Sequence, residues 1–214
     1  MSDSVLITLG PTREFIDPVR YITNASSGKM GKCIAEEALS RGYEVTIISG
    51  PVNIELPESA RLINVTTAME MINSTLSELE NGYKILVSTA AIADYSPEFR
   101  AEKIKSDKNE LNIRLRLNPK LTKLARKRFP ELFIVAFKAE YNMPEEKLIE
   151  IAEKKLIDEN LNIVVANDIS KNKFGSDYSD AYIINENEKI YIEKCSKREI
   201  SRRIWDIIEM KLKE

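Results

Sequence analysis

Residues 5–14 read VLITLGPTRE and residues 24–31 read NASSGKMG, and these two stretches decide the fold. The apolar run 5–9 has the composition of a buried strand, and a helical pattern begins near Gly28. A small-residue loop between a strand and a helix exposes backbone N–H groups at the helix N-terminus, where the helix dipole also favours an anion. Glycine in such a loop lets the backbone approach a ligand closely. The segment therefore predicts nucleotide binding.

The spacing within this segment is unusual for a phosphate-binding motif. It fits neither G-x-x-x-x-G-K-[ST] nor a regular G-x-G-x-x-G. On spacing alone, a second interpretation stands beside nucleotide binding: the loop is a Ser/Gly-rich turn in which Ser26 or Ser27 caps the helix. The rest of the chain has to decide between the two.

Composition argues against several classes of protein. The 214 residues include 32 basic and 34 acidic side chains, a formal net charge of −2, so no basic field draws the chain to nucleic acid or an anionic membrane. No apolar stretch approaches the roughly 18 residues of a membrane span, and residues 1–4 lack the features of a signal peptide. Cys33 and Cys195 form no C-x-x-C pair. We expect a cytoplasmic protein.

The chain contains no histidine. This absence excludes a Ser-His-Asp triad, a Cys-His pair and any metal site with a His ligand. Catalysis would have to come from Lys, Asp and Asn side chains, backbone dipoles and a bound cation.

Strand patterns alternate with helical patterns along most of the chain. Repeated strand-then-helix units favour a Rossmann-like α/β fold in three layers, a parallel sheet with helices on both faces. Residues 111–117 alternate strictly and residues 181–193 have the pattern of a hairpin, so both predict antiparallel strand additions. The amphipathic pattern of residues 196–213 predicts a C-terminal helix. We expect one domain spanning 1–214. The predicted strands cover 6–9, 45–49, 85–88, 111–117, 132–137, 163–166, 181–185 and 189–193, and the predicted helices cover 28–41, 67–80, 120–128, 144–159 and 196–213.

Ligands of such sheets bind beyond the carboxyl ends of the strands, and several candidate residues follow those ends. Asp94 follows the strand 85–88 and could bind a hydroxyl or a hard cation, although a loop Asp often only caps a turn. Lys103 and Lys105 would both face a polyphosphate in an extended chain, but a charge run is more often solvated surface. Phe137 could stack on a base or be an ordinary core aromatic.

Several stretches in a fixed order carry a more specific signal. They read GPTRE at 10–14, DPVRYITN at 17–24, SSGKMG at 26–31, AAIADY at 90–95, KIK at 103–105, AFKAE at 136–140 and AND at 166–168. Over nearly its whole length the chain closely resembles phosphopantothenoylcysteine synthetase, a ligase of coenzyme A biosynthesis that is often the C-terminal half of a bifunctional flavoprotein. So many matched stretches are far more specific than one glycine motif.

The resemblance implies an activity. Family members join 4′-phosphopantothenate to L-cysteine through an amide, and bacterial and archaeal members activate the carboxylate with CTP and Mg²⁺. An acyl-cytidylate forms with release of pyrophosphate, and the cysteine amine then displaces CMP. Such a transfer needs charge neutralisation and positioning more than a nucleophilic side chain, so the lack of histidine is no obstacle.

The resemblance also implies partners. Family members are homodimers in which each active site is built with help from the partner subunit, and residues 17–24 and 111–117 could supply that contact here. A phosphopantothenoylcysteine decarboxylase domain is a further expected partner. Because the flavin site belongs to that decarboxylase half, we expect no FMN in this chain.

Individual roles follow from matched positions. Asn24 matches the family asparagine that helps form and hold the acyl-cytidylate, and Lys103 matches the essential lysine of a mobile flap associated with the cysteine step. Asp94 is the candidate metal ligand. The expected nucleotide-binding residues are Gly10, Thr12, Ser27, Gly28, Ala90, Ala91, Asp94, Lys103, Pro119, Lys120, Leu121, Thr122, Phe137 and Lys155.

The chain departs from the family pattern at three places. Glu159 stands where a second nucleotide-contacting lysine is expected, four residues after Lys155, which removes a phosphate contact and reverses its charge. Ser106 stands where many members have another lysine. Lys138 lies within the stretch that reads Phe-Ala-Ala-Glu in the family, and it could supply the missing charge. These departures bear on the choice between CTP and ATP.

Two other functions fit the same architecture. An NAD(P)-binding oxidoreductase would carry an acidic residue directly after the second strand, but residues 50–52 read GPV and no Tyr-x-x-x-Lys pair occurs. A non-catalytic nucleotide-binding module is the third interpretation, and a turnover measurement separates it from an enzyme.

Overall fold

The structure, a computed structural model, describes residues 4–106, 109–171 and 175–213. Its elements in chain order are β1 (Ser4–Leu9), β2 (Arg13–Asp17), β3 (Arg20–Thr23), α1 (Lys29–Ser40), β4 (Glu44–Ser49), β5 (Arg61–Asn64), α2 (Ala68–Leu79), β6 (Ile85–Ser88), β7 (Tyr95–Pro97), β8 (Leu115–Leu117), α3 (Leu121–Arg128), β9 (Phe133–Glu140), α4 (Glu145–Asp158), β10 (Ile163–Asp168), β11 (Tyr178–Ile184), β12 (Lys189–Ser196) and α5 (Lys197–Lys211).

The described residues form one large sheet with the strand order β12-β11-β10-β9-β6-β1-β4-β5. β1 lies inside the sheet and pairs in parallel with β4 and β6, so that Ile7 lies between Ile47 and Val87. The six strands from β10 to β5 are parallel, whereas β11 and β12 pair antiparallel at one edge. This architecture confirms the predicted Rossmann-like sheet with antiparallel additions.

Helices cover both faces of this sheet. On one face α1 and α5 contribute Ile34 and Trp205 to a core that also holds Val5 and Ile7 of β1. On the other face α2, α3 and α4 pack against Leu6 and its neighbours. Because successive side chains of a strand point to opposite faces and both faces are buried, the strands read as continuous apolar runs. Each fully buried Leu or Ile contributes about 1.5–3 kcal/mol, which holds the helices onto the sheet.

One prediction from the sequence, and one alternative interpretation, are not what the structure shows. The alternating stretch 111–117 forms only the three-residue strand β8, which pairs with β7. Pro97 has no N–H with which to continue that ladder, so the pairing ends there. In the alternative interpretation Ser26 or Ser27 is the N-cap of α1, but the N-cap residue is Gly28, at a φ of 75°. The Ser27 hydroxyl accepts only a long hydrogen bond of 3.4 Å from the Lys29 amide.

Other differences concern the lengths and the number of strands. β9 and β10 continue past their predicted ends, to Glu140 and Asp168. The hairpin of β2 and β3 and the edge strand β5 were not predicted at all. The longest described helix, α5, has 15 residues, and none within the described ranges combines the length and apolar character needed to cross a bilayer.

Candidate functional site

The chain reverses direction across the sheet between β1 and β6. It first builds β4 and β5 on one side of β1 and then crosses to build β6, β9 and β10 on the other side. The loops after β1 and β6 therefore diverge at the carboxyl ends of the strands, which leaves a crevice where open α/β sheets bind ligands. A cavity of about 530 Å³ lies at this edge, as expected from the sequence.

Most of the predicted site residues meet in this cavity. Twelve of them line it, whereas Gly10, Thr12 and Lys103 do not. The lining residues among those predicted are Asn24, Ser27, Gly28, Ala90, Ala91, Asp94, Pro119, Lys120, Leu121, Thr122, Phe137 and Lys155. Lys29 and Asn167, which stand in the quoted stretches but are not among the predicted site residues, also line it. Sequence reasoning missed Ser176, Tyr178, Ser179 and Lys197, which line it too.

Gly10 and Thr12 support the cavity wall from behind. Gly10 has a φ of 78°, a left-handed conformation that favours glycine, and its carbonyl accepts a hydrogen bond of 2.9 Å from the Ala91 amide. The Thr12 hydroxyl, fully buried, accepts one of 3.0 Å from the Ala93 amide. These bonds fix the loop after β6, which carries Asp94 into the cavity.

Asn24 is held against the same loop. Its side-chain amide donates a hydrogen bond of 3.1 Å to the Ala91 carbonyl. The preceding residue is also fixed, because the Thr23 hydroxyl donates to the Thr12 carbonyl at 2.7 Å. The asparagine is therefore positioned beside the cavity by backbone groups rather than by other side chains.

The N-terminus of α1 reaches the cavity because Gly31 allows the helix to approach β1 closely. A Cβ at position 31 would lie 2.4 Å from both the Leu9 Cβ and the Thr89 hydroxyl, so no larger residue fits without movement. The first backbone amides of the helix consequently face the crevice, where they favour an anion.

Two lysines tie this end of the cavity to the segment before β11. Lys29 donates to the Gly175 carbonyl and to the Asp177 carboxylate, both at 2.6 Å, and this hydrogen bond with the attraction of the charge lowers the pKa of Asp177. Lys197 donates to the Ser176 carbonyl, and burial together with the nearby Lys29 charge lowers the pKa of Lys197. Lys29 stands in the quoted SSGKMG stretch, so its place directly after Gly28 at the start of the helix could have identified it as a site residue.

Asp94, the candidate metal ligand, forms an ion pair with Lys120. The described residues contain no group of three carboxylate, thiol or imidazole side chains that could hold a metal between them. Mg²⁺ commonly binds through one or two carboxylates together with substrate phosphates and water. The donor set fits such a shared ion, with Asp94 as its protein ligand, and does not fit a resident metal held by protein alone.

Glu159 is buried beneath the cavity wall and joins two residues that line it. Its carboxylate accepts hydrogen bonds from the Thr122 hydroxyl and, at 2.8 Å, from the Lys155 ammonium. The side chain of Glu159 is only 8% exposed. Its negative charge is therefore directed at Lys155. Lys138, which also lines the cavity, forms an ion pair with Glu140 at 2.8 Å.

Lys103 lies on what we call the flap segment, residues 96–106, outside the cavity. Its side chain is exposed, whereas its neighbour Ile104 is half-buried. The Ile104 amide donates to Asp17, so the segment is attached to the turn between β2 and β3. Lys103 is thus the one predicted catalytic residue that the structure leaves apart from the cavity.

Comparison with known proteins gives consistent matches. The family described as the DNA/pantothenate metabolism flavoprotein C-terminal domain matches residues 1–212. The coenzyme A biosynthesis bifunctional protein CoaBC of Methanocaldococcus jannaschii is 42% identical over 211 residues, which cover 98% of this chain and 51% of that protein. The chain therefore spans about half the length of this curated relative.

Solved structures agree with the sequence match. A crystal structure of the C-terminal domain of CoaBC superposes with a TM-score of 0.83 at 32% identity, covering 99% of this chain and 96% of that one. The DNA/pantothenate metabolism flavoprotein from Streptococcus pneumoniae superposes with a TM-score of 0.88 at 25% identity, covering 98% and 99%. The chain belongs to the DNA/pantothenate metabolism flavoprotein C-terminal domain family.

Proposed function

We propose that this chain is a phosphopantothenate–cysteine ligase of coenzyme A biosynthesis. The observation that carries the proposal is the cavity at the crossover of the sheet, where Asn24, the α1 N-terminus and Lys155 meet. In the first step a carboxylate oxygen of 4′-phosphopantothenate attacks the α-phosphorus of CTP and pyrophosphate leaves. In the second, the cysteine amine attacks the acyl carbon, the bond to CMP breaks, and the amine loses one proton.

The residues present suit these two steps. Backbone amides at the α1 N-terminus stabilise phosphate oxygens, and Asn24 positions the acyl phosphate. Mg²⁺ would neutralise the triphosphate, with Asp94 as its protein ligand. Phe137 of β9, which lines the cavity, offers an apolar wall to the cytosine ring. Positioning of two reactants accounts for a large part of the rate of such transfers.

Pyrophosphate release tests the proposal and the choice of nucleotide. Purified protein is assayed with CTP, ATP or no nucleotide, with and without 4′-phosphopantothenate and cysteine. We expect release only with CTP, Mg²⁺ and 4′-phosphopantothenate together, and amide formation only when cysteine is added. A melting temperature raised by NADPH and unchanged by CTP would instead favour an oxidoreductase. Stabilisation by CTP without turnover would leave only a nucleotide-binding module.

Asn24→Asp tests the site itself. The substitution replaces a hydrogen-bond donor with a negative charge where negative charge develops, and loss of one such donor costs on the order of 10²–10³ in rate. We expect amide synthesis to fall at least that far while the melting temperature stays close to that of wild type. Asn187→Asp, in the exposed turn between β11 and β12, is the control and should leave the rate unchanged. Near wild-type turnover of Asn24→Asp would remove this residue from the mechanism.

We also propose a homodimer, through an apolar surface beside the cavity. Val19, on the turn after β2, is 58% exposed, and Leu115 and Leu117 of β8 are 42% and 67% exposed. Both β2 and β8 contact β7. Large exposed apolar patches commonly mark protein interfaces. Light scattering should give twice the chain mass, and Leu117→Glu should shift it to the monomer with loss of activity. A fully active monomer would contradict the proposed homodimer. Binding of a separate decarboxylase domain would add a second partner to it.

For Lys103 we propose a role in the cysteine step. Lys103→Gln keeps a donor but removes the charge, so it should release pyrophosphate and accumulate acyl-cytidylate while making little amide. A single-turnover quench resolves the intermediate from the product. Lys105→Gln is the matched variant and should have the smaller effect. If Lys103→Gln forms no intermediate at all, the lysine serves CTP binding instead.

A further inference from the structure

The flap segment is attached to β2 at three places along its length. Its start, middle and end each form one hydrogen bond with β2, so this stretch of the flap segment runs beside the strand rather than freely. The three bonds are Ser96 hydroxyl to Glu14 carboxylate at 2.7 Å, Arg100 amide to Ile16 carbonyl at 2.9 Å and Ile104 amide to Asp17 carboxylate at 3.1 Å. Lys103 immediately precedes the last of these attachments.

The two carboxylate oxygens of Asp17 make different contacts. Oδ1 accepts from the backbone amides of Val19 and Arg20, both at 2.9 Å, and so closes the turn between β2 and β3. Oδ2 accepts from Arg20 Nε at 3.0 Å and from the Ile104 amide at 3.1 Å. One oxygen therefore stabilises the turn, and the other attaches the flap segment to it.

Both polar groups of the Ile104 backbone are held by the same ion pair. The Asp17 carboxylate accepts from the Ile104 N–H, and the Arg20 guanidinium donates to the Ile104 carbonyl at 2.5 Å. The Asp17 carboxylate is fully buried, whereas the Arg20 side chain is 38% exposed, so this attachment is shielded from water on its Asp17 side. Burial acts to raise the pKa of Asp17, but hydrogen bonds from three backbone amides and the Arg20 guanidinium outweigh it and lower the pKa to about 2. The carboxylate is consequently charged at any working pH.

We infer that Asp17 is a positioning residue for Lys103, because it fixes the Ile104 backbone from which the lysine side chain extends. This inference rests on the proposed ligase function and on the role proposed for Lys103 in the cysteine step. Fixing the adjacent peptide limits the positions that the Lys103 ammonium samples, and catalysis by positioning depends strongly on such limits. Loosening it slows the amide-forming step and spares the step that releases pyrophosphate.

Asp17→Asn separates the two functions of the carboxylate. One side-chain oxygen remains to close the turn, while an NH₂ group faces the Ile104 amide and Arg20 Nε, which are both donors. Losing the hydrogen bonds to the charged carboxylate weakens the attachment of the flap segment. We therefore expect the rate of amide formation to fall roughly 10- to 100-fold. Pyrophosphate release in the first turnover stays within about threefold of wild type, since no group facing the cavity changes.

Glu14→Gln is the matched control. Glu14 is the other buried carboxylate of β2, and it accepts from the Ala68 amide at 2.8 Å and from Ser96. The side-chain oxygen of the glutamine still accepts from the Ala68 amide, and the side-chain NH₂ group of the glutamine can donate to the Ser96 hydroxyl. We expect the amide-forming step of this variant to be unchanged.

Amide hydrogen exchange measures the attachment without any reference to catalysis. Exchange at Ile104 should accelerate at least tenfold in Asp17→Asn and stay unchanged in Glu14→Gln, with Val19 and Arg20 still protected. If wild type makes no product, the proposed function fails, and the exchange experiment still shows whether Asp17 holds the flap segment. Should Asp17→Asn fold poorly, Ile104→Pro removes the same donor, keeps the carboxylate and should slow the same step.

Three outcomes overturn the inference. Ile104 exchange that is the same in Asp17→Asn and wild type would show that the carboxylate does not hold the segment. Faster Ile104 exchange with unchanged amide formation would show that the attachment does not position Lys103. Equal loss of pyrophosphate release and amide formation would show that Asp17 supports the whole site rather than the flap segment.

Discussion

Thr12→Val isolates the hydrogen bond that supports the loop after β6. The substitution nearly preserves the shape of a fully buried side chain but removes the acceptor of the Ala93 amide, and Ala93 is itself buried. A buried donor left without a partner costs about 1–3 kcal/mol. In a chain of this size 1 kcal/mol corresponds to about 2–4 °C, so we expect the melting temperature to fall by roughly 2–12 °C.

Thr12→Ser is the matched variant, because it keeps the hydroxyl and loses a methyl group. If the hydrogen bond dominates, Ser is more stable than Val at this position, although Val fills the space better. Differential scanning calorimetry gives the order, and the KM for CTP should rise in Thr12→Val alone, since Ala93 precedes Asp94. The reasoning is refuted if Thr12→Val is as stable as wild type and more stable than Thr12→Ser, because packing would then determine the site.

Three further substitutions have expected outcomes. Gly31→Ala inserts a methyl group 2.4 Å from the Leu9 Cβ and should cost about 1–3 kcal/mol while weakening CTP binding, which calorimetry and a thermal shift with CTP would measure. Glu159→Gln removes the carboxylate beside the half-buried Lys155, so the melting temperature without ligand should fall. Because Lys155 then has a free charge for a phosphate, added CTP should raise the melting temperature of the variant by more than it raises that of wild type. Because the folded-state pKa of Asp17 is depressed to about 2, its stabilising contribution is present above its unfolded pKa near 3.8 and is lost as the pH falls. Wild type should therefore lose stability faster than Asp17→Asn between pH 4 and pH 2, as denaturant unfolding at several pH values would show.

The parallel core was predictable because burial on both faces gives its strands an unmistakable composition. β1, β6 and β9 are apolar runs followed by small or polar residues, and these ends define the cavity. β5 escaped prediction because it is a sheet-edge strand whose side chains are mostly exposed, so its sequence carries little apolar signal. The extra length predicted for β8 followed from real alternation, but alternation does not specify a partner strand.

The site was predictable where a local motif carried it. Asn24, Gly28 and Ala91 lie in stretches that are contiguous in sequence and at the ends of predicted strands. Lys197 and Tyr178 reach the cavity only because β11 and α5, which lie far beyond α1 in the sequence, return to the sheet there, and local spacing does not encode such contacts. The attachment of Lys103 through Ile104 and Asp17 likewise depends on the turn between β2 and β3, and no periodic pattern in the sequence predicts that turn.

The order in which the sheet is assembled has a consequence for synthesis of the chain. After β6, each further strand of the large sheet adds beside one already made: β9 next to β6, then β10, β11 and β12 in turn. The face that carries α1 is the exception, because Trp205 of α5 packs there and donates a hydrogen bond of 3.0 Å to the Ile34 carbonyl of α1. Contacts between residues so distant in sequence form slowly. A nascent chain therefore leaves the part of α1 around Ile34 without its α5 cover until Trp205 has been synthesised.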